Sequence, residues 1–184
     1  MTSPQSSPPI VIRRVEPTYV LRGLTASERM SLDSILVAVG NNDDARVDAL
    51  AQTAVDIASP ADASVELVHV FSKTRYESAK AELNFDDQSQ VTPAEVAKRH
   101  ASMRKLGDLI TEAGMTFECH GSLSSGTTTG ERILEIADVV DADLILVGGR
   151  RRSPAGKALF GSTAQEVMLT ASCPVTFVHE QSHE

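Results

Sequence analysis

Cysteine is scarce in this sequence of 184 residues, and its scarcity excludes two classes of protein. The two cysteines, Cys119 and Cys173, lie far apart and form no Cys-x-x-Cys pair. Neither a disulfide framework nor a zinc site is predicted from such spacing. We therefore expect both thiols to be free and buried.

Long apolar runs and an excess of basic residues are also missing. No apolar run approaches the roughly 20 residues of a membrane helix. The first residues have neither a basic start nor an apolar stretch, so we expect no secretory signal and a cytoplasmic location. The 25 acidic residues outnumber the 17 basic ones, with a formal net charge of -8, which argues against nucleic acid as a partner.

The remaining composition indicates one domain with an N-terminal extension. Residues 1–9 are rich in serine and proline and are typical of disordered chain. We predict that residues 1–33 form a partly disordered extension. Residues 34–184 are long enough to bury a sizeable core in a single domain.

Strand and helix patterns alternate along that domain. Unbroken apolar runs rich in β-branched residues suit strands that are covered on both faces. The predicted strands are Ile35–Val39, Val65–Phe71, Phe117–Leu123, Asp143–Val147 and Val175–His179. Helical stripes are predicted at Val47–Ala58 (ended by Pro60), Tyr76–Phe85, Pro93–Ala113, Ile133–Val140 and Ala164–Ala171. The alternation predicts an α/β domain with a parallel, doubly wound sheet, which binds ligands beyond the carboxyl ends of its strands.

A glycine-containing basic segment follows the fourth strand. Gly148 and Gly149 come first, then a loop with four positive side chains, Arg150, Arg151, Arg152 and Lys157. The last helix then opens at Gly161-Ser162-Thr163 with free backbone amides. Helix N-termini favour anions through their N–H groups and dipole, so we predict an anion site here. Gly40 follows the first strand and is expected at the same edge.

Familiar motifs do not account for this loop. The Walker A motif, Gly-x-x-x-x-Gly-Lys-Ser/Thr, is not present: Ala158 follows Gly156-Lys157, and Arg151 stands where the first glycine is needed. The dinucleotide-binding motif, Gly-x-Gly-x-x-Gly, is not present either, because Arg150 stands at its second glycine. The alternative is a solvated loop whose charges offset an acidic surface. No aromatic platform accompanies the arginines, which argues against RNA or DNA.

Other polar groups have simpler interpretations. Thr128 and Glu131 have capping-box spacing, so the Ser124–Gly130 loop is interpreted as a helix start, although its hydroxyls could also contact a ligand. His69, His120 and His179 are interpreted as ordinary strand histidines, and no metal site is predicted. No nucleophile–base pair is visible, and we expect no catalytic residues.

Residues 34 to 179 resemble the universal stress protein family. The last strand, Cys173-Pro174-Val175-Thr176-Phe177-Val178, has the family's form. The nucleotide signature of the family is Gly, two residues, Gly, nine residues, Gly and Ser/Thr. Here Gly148 supplies the first position, and nine residues separate Arg151 from Gly161-Ser162.

The resemblance implies a five-stranded parallel sheet of order 3-2-1-4-5 with the adenine nucleotide alpha hydrolase-like fold. It makes ATP or another adenine nucleotide a possible ligand, because the family contains both members that bind ATP and members that bind no nucleotide. It also implies a homodimer paired through the last strand. The expected contact residues are Val175, Thr176, Phe177 and Val178.

The sequence departs from the family pattern at two positions. Arg151 replaces the second signature glycine, and Gly40 stands where the family has an aspartate that faces adenosine. Asn41 or Asp43 could replace that aspartate, although both are displaced along the turn. We therefore expect an altered or weakened adenosine end, with the charge of Arg151 compensating in part.

Three hypotheses follow for the function. The first is a stress-response module with an anion or adenine-nucleotide site, whose predicted residues are Gly40, Gly148, Arg151, Lys157, Gly161, Ser162 and Thr163. The second is a nucleotide-free dimeric interaction or regulatory module. The third is a slow nucleotide hydrolase, because hydrolysis of a bound nucleotide needs little beyond positioning.

Overall fold

The computed structural model describes residues 31–40, 43–85, 90–149 and 160–179, all within the compact unit Ser31–Glu184. The predicted extension over residues 1–33 lies outside these ranges except for its last three residues. Arg151 and Lys157 also lie outside them.

The described residues form a sheet of five parallel strands in the order β3-β2-β1-β4-β5. The strands are β1 Ser34–Ala38, β2 Ser64–Phe71, β3 Phe117–Leu123, β4 Leu144–Gly149 and β5 Val175–His179. The predicted fold class and strand order are confirmed. Strand β1 is buried throughout, as a central strand covered on both faces must be.

Helices cover both faces of the sheet. They are α1 Val47–Ala61, α2 Lys73–Glu82, α3 Pro93–Arg99, α4 Ala101–Glu112, α5 Thr129–Val139 and α6 Ser162–Thr170. Helices α1 and α4 share a core with Ile35 and Val37 of β1. Helices α5 and α6 share the other core with Leu36 and Ala38, because successive strand residues point to opposite faces.

The longest predicted helix, Pro93–Ala113, is wrong as a single element. His100 has an extended backbone, with ψ of 135°, and separates α3 from α4. Its ring stacks on that of His69 in β2, with ring centroids 4.5 Å apart. The apolar stripe continues across this break, so helical periodicity alone did not reveal it.

Two predicted helix ends also differ. Pro60 does not stop α1, which runs to Ala61 and ends where Asp62 adopts the left-handed conformation. Helix α2 begins at Lys73 rather than Tyr76, because the side chain of Ser72 accepts the Arg75 N–H and caps the first turn. Neither difference moves the strand ends that carry the site.

The winding of the chain reverses between β1 and β4. Strand β1 pairs with β2 on one side and with β4 on the other, so the connections leave the sheet in opposite directions at this point. Gly40 and Gly148 therefore lie at the same edge, as predicted. Such a switch point opens a crevice between neighbouring strand ends.

Candidate functional site

A pocket of about 380 Å³ opens at the carboxyl edge of the sheet. Its walls come from the ends of β1 and β4 and from the first residues of α5 and α6. Its volume lies within the range of small-molecule sites, roughly 300–1,000 Å³. The fold thus provides a ligand-sized space where the strand order predicted one.

Five residues predicted for the site line this pocket together. They are Gly40, Gly148, Gly161, Ser162 and Thr163. Glycine at position 148 leaves room for the Asp43 carboxylate, which an added Cβ would approach to 3.0 Å. The contribution predicted for Arg151 and Lys157 stays a prediction.

The first turn of α6 supplies donors to the pocket. Gly161 is the N-cap, and no side chain caps the helix there. The first four amides of a helix have no intrahelical partner, and Ser162, Thr163 and Ala164 belong to that turn and line the pocket. These amides and the helix dipole favour an anion.

The start of α5 reaches the same pocket but is already capped. Thr128 and Glu131 form the predicted capping box, with the Glu131 N–H bound to the Thr128 hydroxyl at 3.0 Å. The Thr128 hydroxyl also donates to Glu166 at 2.6 Å, which joins the start of α5 to the middle of α6. The carboxylate of Glu131 occupies this end of α5, so α6 is the better anion-binding terminus.

Asp43 places a carboxylate in the pocket. It is only 4% exposed, and its Oδ2 accepts the Gly40 N–H at 2.6 Å. Its Oδ1 pairs with the buried guanidinium of Arg46. A Cβ added to Gly148 would lie 3.0 to 3.2 Å from the same carboxylate. Asp43 therefore fills the space between the two glycines.

Asp43 lies three residues after the position at which the family has its aspartate, and sequence spacing did not reveal where its side chain would lie. The Asp43 N–H bonds to the carbonyl of Gly40, and the Asp43 carboxylate lies beside Gly148 of β4. Both carboxylate oxygens are engaged within the chain, unlike those of a free acceptor. Sequence analysis missed Arg46, whose burial at 4% exposed is unusual for arginine.

A buried histidine lies behind Asp43. His69 is fully buried in β2, and burial lowers its pKa to about 4, with the neighbouring His100 acting in the same direction and Asp43 opposing it. Burial also lowers the pKa of His100. Both rings are therefore neutral at neutral pH, and Arg46 is the nearest described cation to the Asp43 carboxylate.

The two cysteines lie at opposite edges of the sheet, and both are free. Cys119 in β3 is half-buried, and burial raises the pKa of its thiol to about 11. Burial also raises the pKa of Cys173. Neither thiol is activated as a nucleophile, which needs a lowered pKa.

Fold and pocket together define a doubly wound α/β protein with a ligand pocket at the switch point of its sheet. The model of the universal stress protein family matches residues 31–179. The chain belongs to this family, and its predicted class, a universal stress protein-like module, is confirmed. Within the part of the chain that the structure describes, no helix is long and apolar enough to cross a membrane.

Individual relatives support this assignment. Universal stress protein MJ0531 of Methanocaldococcus jannaschii is 28% identical over 134 residues, which cover 73% of this chain and 75% of the relative. A universal stress protein of Mycolicibacterium smegmatis is 36% identical over 69 residues, 38% of this chain; the match spans about half of that relative, 52%.

Solved structures share the fold. A universal stress protein of Archaeoglobus fulgidus is 27% identical, with a TM-score of 0.57 over 79% of this chain and 98% of that one. A second structure from the same organism was solved in complex with dAMP. It is 24% identical, with a TM-score of 0.55 over 81% of this chain and 99% of that one.

Proposed function

We propose that this stress-response module binds an adenine nucleotide, ATP in the first instance, with its phosphates at the start of α6. The observation that carries the proposal is the uncapped first turn of α6, which opens into the pocket opposite Gly148. Backbone amides hold the phosphate oxygens, and the hydroxyls of Ser162 and Thr163 add donors. Arg151 and Lys157 are proposed to add positive charge.

We propose that this pocket binds the nucleoside end of the ligand differently from a pocket in which an aspartate is free to accept a hydrogen bond. The Asp43 oxygens already bind Gly40 and Arg46, so accepting a hydrogen bond from the ligand requires one of these partners to be shared. Binding energy then comes mainly from the phosphates. We expect affinity to follow phosphate number, with ATP above ADP and ADP above AMP. The dAMP complex of the similar protein supports the choice of ligand class.

Calorimetric titration with ATP, ADP and AMP tests the proposal. The informative variant is Ser162→Asp, because an added carboxylate at the helix start stabilises the helix but repels phosphate. We expect nucleotide binding to weaken at least tenfold while thermal stability is kept or raised. Leu169→Glu adds the same charge at the exposed far end of α6 and should leave binding unchanged.

Two results would contradict the proposal. One is the absence of any heat or thermal shift with the three nucleotides, phosphate and sulfate. The other is equal binding by wild type and Ser162→Asp, which would locate the ligand elsewhere. Phosphate release from a nucleotide-saturated sample separately tests the hydrolase alternative, which undetectable release would remove.

The nucleotide-free dimeric module is the second candidate, and the edge position of β5 favours it. Val175, Thr176 and Phe177 are half-buried at the free side of the described sheet, whereas Val178 is buried. An unpaired strand edge can pair with a second copy of the chain. Pairing along β5 does not by itself decide between the two candidates, but a chain purified with bound adenine nucleotide would contradict the nucleotide-free module.

A charge at Phe177 is a poor test of this dimer. The Phe177 ring packs inside the chain, against Phe160 at 4.8 Å between centroids and against Gly149. Thr176→Lys is the better variant, since it places a charge on the edge strand and spares that packing. We expect a shift toward monomer in sedimentation, with little loss of thermal stability; an unchanged oligomer would contradict pairing through β5.

A cytoplasmic location belongs to the same proposal. Both thiols are free, which suits a reducing compartment. Fractionation of cells that express the full chain would check it, and a chain recovered outside the cytoplasm would contradict it.

A further inference from the structure

Three side chains that commonly bind metals lie together on β2 and β3, away from the nucleotide pocket. They are Glu66, Glu118 and His120, and their ligand atoms all lie within 4.8 Å of one another. Glu66 and Glu118 are register partners, and His120 is two residues further along β3. Because residues i and i+2 share a face, the register of the two strands brings the three together.

Within the described ranges, no lysine or arginine balances the two carboxylates of this cluster. Like charges directly opposite on neighbouring strands are destabilising, yet the two glutamates occupy that arrangement. The Glu66 side chain is only 12% exposed, and its partner is the Nε2 of His120 at 2.7 Å. Among the ion pairs of the described residues, none joins Glu66 or Glu118 to a lysine or arginine. A bound cation would supply the missing positive charge.

The donor set indicates the kind of cation. Two carboxylate oxygens and one imidazole nitrogen suit zinc and neighbouring divalent transition metals, whereas calcium and magnesium prefer oxygen alone. Cys119 lies between two of the ligands in sequence, so its side chain points to the opposite face. The His120 side chain is 27% exposed, which leaves room for water as a further ligand.

We propose that Glu66, Glu118 and His120 form a binding site for a divalent transition-metal ion of the Zn²⁺ type, completed by water. The ion takes the place of the hydrogen bond between His120 and Glu66. Three protein ligands with one open position are typical of zinc sites that exchange a fourth ligand. Glu66 and Glu118 lie near the amino-terminal ends of β2 and β3, and His120 lies at the middle of β3. The site does not depend on nucleotide binding.

Metal titration of the full chain after chelator treatment and dialysis tests this site. We expect one Zn²⁺ per chain, measured by competition with a chromogenic indicator. Co²⁺ should give the visible absorption of a four- or five-coordinate ion. His120→Gln and Glu118→Gln should each weaken Zn²⁺ binding at least tenfold, the lower end of what loss of even an outer-shell partner costs.

His179→Gln is the matched control. His179 and His183 are spaced four residues apart in the sequence and offer a rival pair of ligands outside the cluster. Zn²⁺ binding that survives His120→Gln but is lost in His179→Gln would overturn the proposal. The absence of saturable Zn²⁺ or Co²⁺ binding by wild type would overturn it as well.

Glu118→Gln also separates a metal site from a structural cluster. This substitution removes one of two facing charges, so the metal-free variant should be as stable as wild type or more stable. The stabilisation that Zn²⁺ adds to wild type should shrink in the variant. A metal-free variant that is less stable, with Zn²⁺ affinity unchanged, would show that the cluster serves packing alone.

Discussion

The contact between Asp43 and Gly148 gives the sharpest test of how the pocket floor is built. In Gly148→Ala, the new Cβ would lie 3.0 Å from Oδ2, 3.1 Å from Oδ1 and 3.2 Å from Cγ of Asp43. Ordinary carbon contacts begin several tenths of an ångström further out. Either the carboxylate or the end of β4 must move.

The carboxylate is poorly able to move. It is bound to the Gly40 N–H at 2.6 Å and to the Arg46 guanidinium, and hydrogen bonds to charged groups are worth about 1.5–3 kcal/mol each. Overpacking in a well-filled site costs about 1–3 kcal/mol. Alanine recovers about 0.5–1 kcal/mol through its lower chain entropy in a strand. We therefore expect a net loss of about 1–2 kcal/mol in the free energy of unfolding.

A double-mutant cycle assigns this loss to Asp43. Asp43→Ala alone should cost about 3 kcal/mol or more, because it breaks a buried ion pair. It also removes the three atoms that would lie nearest to the new Cβ. Without the clash, Gly148→Ala should keep only its alanine gain of about 0.5–1 kcal/mol. The coupling energy then equals the overpacking cost of about 1–3 kcal/mol.

Urea unfolding followed by circular dichroism measures the four free energies. Gly149→Ala is the matched control on the same strand, since its Cβ would meet the Phe177 ring instead. Its cost should be the same with and without Asp43. Equal costs of Gly148→Ala in both backgrounds would refute the proposed arrangement of the pocket floor.

Three further predictions concern pH, helix capping and the sheet edge. The pKa of His69 in the folded chain is about 4, below the ordinary 6.5. Between pH 4 and 6.5, His69 is therefore protonated in the unfolded chain but neutral in the folded chain. The free energy of unfolding should fall by up to about 3 kcal/mol as pH drops from about 6.5 to 4. Urea unfolding at several pH values should show a weaker pH dependence for His69→Phe than for wild type. An unchanged pH dependence would contradict a lowered pKa at His69. Thr128→Ala removes the α5 cap and the bond to Glu166 and should cost about 1–2 kcal/mol, whereas Thr111→Ala, whose hydroxyl bonds within α4, should cost less. Phe177→Asp should lower thermal stability even in a monomer, because its ring packs on Phe160; a stable monomeric variant would contradict this.

Local patterns in the sequence were enough to predict the five strands, most of the helices and the edge where the pocket opens. Strands β3 and β5 begin and end where the apolar runs predicted. The capping box at Thr128 and the start of α6 at Gly161 also follow from short-range chemistry. Such features depend on residues within one turn of each other, so their signal survives in a single sequence.

The break between α3 and α4 shows where this local information ends. The apolar stripe predicted one helix, yet His100 leaves the helical conformation and stacks on His69. That contact joins residues 31 positions apart. Helical propensity and periodicity depend on neighbouring residues and do not contain this contact, so the break at His100 became visible only in the packed structure.

The sequence by itself determined the alternation of strands and helices, the parallel sheet, and the position of Gly40 and Gly148 at the same edge. These follow from periodicity and from the rule that ligands bind beyond strand ends. The tertiary structure alone decided that Asp43 folds back between those glycines and that Arg46 is buried beside it. It also decided that Glu66 and Glu118 face each other beside His120. These two glutamates are 52 residues apart in the sequence, and only the pairing of β2 with β3 sets the register that brings them together.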